Sequence, residues 1–112
     1  MNKQNSKILE EFKQSIRLCE WECWQDIEDA ICETNENCYI IWIDLWGNTR
    51  YDDIFTYVHL LASQEFGKCL LVPKKKFEKF RKYMRKLYRL GGKDIAYQMR
   101  EELNRLYPDF KF

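Results

Sequence analysis

Ten basic residues stand between Lys74 and Lys93 (Lys74, Lys75, Lys76, Lys79, Arg81, Lys82, Arg85, Lys86, Arg89 and Lys93) against one acid, Glu78. Lysine and arginine at this density do one kind of chemistry well: they neutralise phosphates. Each contact that releases a counterion adds affinity for a nucleic-acid backbone without reading its sequence. At about 100° per residue, Lys75, Lys79, Lys82, Lys86 and Arg89 gather on one side of a helix, opposite Phe77, Phe80, Met84 and Leu87. With Arg85 and Lys93 they form the expected nucleic-acid or partner site. The plainer alternative is a solvated face, or one that pairs with acids nearer the start of the chain.

Those acids form the second constellation: Glu10, Glu11, Glu20, Glu22, Asp26, Glu28, Asp29, Glu33 and Glu36. Carboxylates in number can stand where a nucleic-acid-binding protein expects phosphates, or simply keep the chain soluble. Leu18, Trp21 and Cys32 fall on the side of a helix predicted over about Ser6 to Thr34 that lies away from its main apolar stripe. A large apolar residue there is either covered by another element or kept for a partner. Leu18, Trp21, Glu22, Glu28 and Asp29 are therefore the expected protein-partner site, with Trp21 as its anchor. An acidic face and a basic face on one chain also predict weak self-association.

Metal and catalytic chemistry find less to work with. Cys19 and Cys23 are four apart on one helical face, and Cys32, Cys38 or His59 would complete a metal site, but no C-x-x-C pair is present. Small buried hydrophobes account for the same cysteines. Asp44, Glu65 and Lys68 follow one another as in a metal-dependent nuclease, yet Glu65 and Lys68 do not share a strand as a metal-and-base pair requires. His59, the lone histidine, lies in no nucleophile motif. No catalytic residue, metal or cofactor is expected, and the chain reads as non-enzymatic.

The elements that would position these residues must come from one domain, since 112 residues fill a single core. A hydrophobic share of 46%, with 7 Phe, 7 Tyr and 4 Trp, excludes the composition of a disordered chain. The net charge of +1 conceals a division. Residues 1–66 carry thirteen acids and five bases, a net of −8, and residues 67–112 carry fourteen bases and five acids, a net of +9. Five cysteines, an odd number in no secreted framework, and a polar start predict a cytoplasmic protein with reduced thiols and no membrane partner.

Apolar steps of three and four through Ile8, Phe12, Ile16, Cys19, Cys23, Ile27 and Ala30 predict one long helix from about Ser6, its N-cap, to Thr34. Whether that helix is one or two stays open. Cys38 to Trp46 reads as a buried strand, ended by Gly47-Asn48. Asp52 or Asp53 begins a helix bearing Ile54, Phe55, Val58, Leu61 and Ala62, to about Glu65. Cys69 to Val72 is a second strand. A parallel crossover between the two strands is preferred on the helical spacing of Ile54, Val58 and Leu61; a hairpin at Gly47-Asn48, with Thr49 to Tyr57 returning antiparallel, is the alternative. Lys74 to Leu90 forms the basic helix, stopped by Gly91-Gly92. A last helix capped by Asp94 turns Ile95, Met99, Leu103 and Leu106 inward until Pro108.

The expected fold is thus α/β or α+β, a small sheet under about four helices in the order α-β-α-β-α-α. The expected function is binding to a nucleic-acid phosphate backbone or a nucleoprotein complex through residues 74–93. The alternative is a small inhibitor, of the phage accessory or antitoxin type, that grips a nucleic-acid-processing protein with its acidic helix and Trp21.

Overall fold

The computed structural model describes residues 2–43, 46–52 and 67–112, apart from the side chains of residues 24 and 52. The described elements are α1 (Lys3–Ser15), β1 (Arg17–Trp21), α2 (Trp24–Thr34), β2 (Cys38–Ile43), β3 (Thr49–Asp52), β4 (Gly67–Pro73), α3 (Lys74–Arg89) and α4 (Lys93–Leu106). The fold is α+β: among the described residues four helices pack on a four-stranded sheet of order β1-β4-β2-β3, antiparallel at every pairing.

The predicted first helix is interrupted. Asn2, not Ser6, caps α1, its side-chain oxygen accepting the Asn5 N–H at 2.9 Å. Ile16 is extended, and Arg17–Trp21 pairs with β4, Cys19 lying opposite Cys69 and Leu18 opposite Leu70. Ile16, Cys19 and Cys23 fit helical steps of three and four while Cys19 and Trp21 fit the two-residue period of a strand, so the local pattern fits both states. Pairing with a strand about fifty residues away decides between them. The Asp26 carboxylate then restarts the helix by accepting the N–H groups of Glu22 at 2.8 Å and Cys23 at 3.2 Å.

The parallel crossover is also corrected. β2 pairs with β4 antiparallel, Ile40 opposite Leu71 and Tyr39 opposite Val72. The hairpin alternative holds for its first residues: β2 pairs with β3, Ile43 facing Thr49, and Gly47 takes the left-handed φ of 81° in the turn between them. β3 is described as far as Asp52, and the rest of the expected returning strand, to Tyr57, lies outside the described residues. The predicted helix from about Asp53 to Glu65 lies outside those residues.

Strict alternation sorts the sheet into two faces. On one side Cys19, Trp21, Ile40, Trp42, Cys69 and Leu71 pack with Ile27 and Ala30 of α2. On the other, Ile41, Leu70 and Val72 meet Leu9 and Phe12 of α1, Phe77, Phe80 and Met84 of α3, and Ala96, Met99 and Leu103 of α4. Leu106, expected inward, is half exposed. A Schellman turn ends α3: Gly91, with φ 78°, donates its N–H to the Tyr88 carbonyl, and Gly92 donates to that of Leu87 at 2.7 Å.

Candidate nucleic-acid interface

α3 exists because Phe77, Phe80 and Met84 bury one stripe against the sheet and α1. The same period turns the bases outward: Lys75, Lys79, Lys82, Arg85, Lys86 and Arg89 are all exposed. Lys93 is exposed too but opens α4, beyond the Gly91-Gly92 turn, where its ammonium lies 5.9 Å from the Tyr97 ring centre. The structure therefore brings six of the seven expected residues onto one helix and sets the seventh on the next.

Pairing with acids accounts for little of this charge. Lys79 donates to Glu11 of α1 at 2.9 Å, and that contact holds the Glu11 carboxyl below its ordinary range. Glu78, the one acid on the helix, accepts from the Tyr39 hydroxyl at 2.9 Å. Lys75, Lys82, Arg85, Lys86 and Arg89 have no carboxylate partner among the described residues. Lys86 and Arg89 lie in the last turn, where the helix dipole favours a cation. At the other end Lys74, Lys75 and Lys76 fill a first turn without an acid, where the dipole disfavours them. Helix stability does not explain that triplet.

Two concavities border the face. A groove of about 500 Å³ runs beside Lys75, Glu78, Lys79 and Lys82 and reaches Arg81 and Arg85. The same two arginines form part of the mouth of a second hollow, of about 300 Å³, whose floor includes Phe12, Phe77 and Phe80. Residues distant in sequence hold its wall: the Tyr51 hydroxyl donates to the Lys111 carbonyl at 2.8 Å, and the Lys111 N–H donates to Thr49 Oγ1 at 2.8 Å. Burial pushes the Tyr51 phenol up, opposed by the Arg100 and Arg81 guanidiniums. Sequence reasoning missed this hollow; Arg81, Tyr88 and Arg100 carried no signal that would unite them.

The expected protein-partner face does not assemble. Trp21 is only 2% exposed and packs under α2, its indole nitrogen without a hydrogen-bond partner among the described residues. Leu18, 46% exposed, points to the opposite side of the strand. Glu22 lies in the turn before α2, and Glu28 and Asp29 lie on α2, where Asp29 accepts from Gln25 Nε2 at 2.7 Å. The acids are spread over α1, β1 and α2 because the segment is not one helix. Trp21 is therefore a core residue and not a surface anchor.

All five cysteines are free: Cys23 and Cys32 exposed, Cys19, Cys38 and Cys69 buried. No three His, Cys, Asp or Glu side chains converge on a common point among the described residues. A hydrogen bond shared with Cys19, together with burial, drives the Cys69 thiol far up, so it stays protonated. Asp44, His59 and Glu65 lie outside the described residues, and Lys68 extends from β4 to within 4.0 Å of Glu20. No described helix is long and apolar enough to cross a membrane.

Comparison with protein-family models, with curated proteins and with solved structures finds no match.

Proposed function

We propose that this protein binds the phosphate backbone of a nucleic acid, free or within a nucleoprotein complex, through α3, and that it does so as a binding module rather than an enzyme. One observation carries the reading: seven exposed bases of α3 form no ion pair with a carboxylate among the described residues although acids lie close by on α1. Repulsion among them costs the free protein stability, and phosphates relieve it while releasing counterions. The five free thiols suit a reducing cytoplasm.

Fluorescence anisotropy with strands of unrelated sequence, titrated across salt, tests the proposal. Lys82→Gln, Lys86→Gln and Arg89→Gln together should weaken binding about equally for every strand and flatten the salt slope by roughly 0.7–0.9 per lost contact. Wild-type binding that ignores salt, or a slope that the triple variant leaves unchanged, removes α3 from the interface.

A further inference from the structure

The hollow beside α3 combines an aromatic floor with a cationic mouth. Its floor is aromatic: Phe12 stacks on Phe80 with centroids 4.1 Å apart, and Tyr51 leans on Phe77 at 5.4 Å. Its mouth is cationic: Arg81 and Arg85 of α3 face Arg100 of α4, and no Asp or Glu among the described residues lines the site. Two of these guanidiniums are seated against rings, Arg81 at 5.5 Å from the centre of Phe77 and Arg100 at 5.4 Å from that of Tyr88. None of the three has a carboxylate partner among the described residues.

A ligand that satisfies both features is a planar ring carrying an anion. At about 300 Å³ the hollow is at the small end of the roughly 300–1,000 Å³ range of ligand sites, so it takes one ring system and not a chain of them. The groove along α3 shares Arg81 and Arg85 with it, so a strand whose phosphates follow the groove arrives at the aromatic mouth.

We propose that this hollow receives one unstacked base of a single-stranded nucleic acid, with the adjoining phosphates held by Arg81, Arg85 and Arg100. The inference rests on the reading of α3 as a phosphate-binding face. A base in a duplex reaches such a site only by breaking its pair and its stack, whereas a single strand offers bases already free to stack on protein rings. Every base has a π-face, so the hollow adds affinity for single strands with little preference for sequence.

The test compares a short oligothymidylate with an abasic strand of the same length, which carries the same phosphates and no bases. The thymidylate strand should bind about tenfold tighter, the worth of one base on an aromatic platform. Tyr88→Ala should erase most of that ratio. Arg100→Gln, which removes a phosphate contact and no ring, should weaken both strands by the same factor and leave the ratio unchanged; the wild-type comparison of the two strands keeps the test open if Tyr88→Ala unfolds the chain. Equal, salt-sensitive binding of both strands overturns the base site and leaves the phosphate face standing. Failure of both strands to bind overturns both. Tight binding of a phosphotyrosine peptide by a chain that binds neither strand overturns the inference in favour of a protein partner.

Discussion

Phe12 of α1 and Phe80 of α3 stack nearly parallel, 8° apart, with their ring centres separated by 4.1 Å. The pair joins the two helices beneath the basic face and forms part of the hollow's floor, so the core and the candidate site share side chains. Phe12→Ala removes one ring from a residue only 2% exposed and should cost about 3–5 kcal/mol of stability, read by urea unfolding. A loss under about 1 kcal/mol would mean the rings do not bear on each other in solution.

Trp21 offers a test of the two-sided sheet. Trp21→Ala should cost roughly 3–5 kcal/mol, because the indole fills the space between β1 and α2. Trp21→Phe should cost less, since it keeps a ring and removes an N–H that has no partner among the described residues. Melting temperatures that do not vary with protein concentration are expected for both.

Lys13 bridges Glu10 at 2.8 Å and Glu102 of α4 at 2.7 Å, hydrogen bonds that raise its pKa above the usual lysine range. A base with a raised folded-state pKa contributes stability that is complete below its unfolded value, about 10.4, and is lost as pH climbs through the folded value. Lys13→Met should therefore destabilise the chain at neutral pH by at most about 1 kcal/mol, given the partial exposure of the pair. The gap between wild type and variant should close above about pH 10.4. Denaturation midpoints at neutral and at high pH check both the size and the sign.

Gly91 holds the left-handed φ of 78° that ends α3 before α4 begins. Open space surrounds the position of a Cβ there, so Gly91→Ala would be penalised by backbone strain alone, at about 1–2 kcal/mol. Thermal melts of Gly91→Ala beside Gly91→Asn separate the causes, since asparagine tolerates this conformation and should recover part of the loss.

Thiol labelling under native conditions should divide the cysteines by burial. Cys23 and Cys32 are exposed and should react first; Cys19, Cys38 and Cys69 should be protected until the chain opens. Cys69 is also held in its unreactive protonated form. Mass spectrometry of the partly labelled protein identifies the order, and early modification of Cys69 would contradict its place in the sheet.

Local pattern alone determined much of this protein. The steps of three and four through Phe77, Phe80 and Met84 specify α3 and place Lys75, Lys82, Arg85, Lys86 and Arg89 outside, because a helix buries its apolar stripe and exposes what lies opposite. Gly91 marks its end, since few residues other than glycine take a positive φ cheaply. Short β-branched and aromatic runs locate β2 and β4, and a small sheet under helices, α/β or α+β, follows.

What the pattern left undetermined depends on contacts between distant residues. Arg17–Trp21 is a strand because β4 supplies its hydrogen bonds, and that pairing turns Trp21 inward while Leu18 points the other way. The direction of β4 against β2 is likewise a property of the assembled sheet, as periodicity is the same for parallel and antiparallel neighbours. The hollow draws on Phe12, Tyr51, Arg81, Tyr88 and Arg100, which meet only when α1, β3, α3 and α4 close on one another. No spacing in the chain foretells it, because its residues are neighbours in space and strangers in sequence.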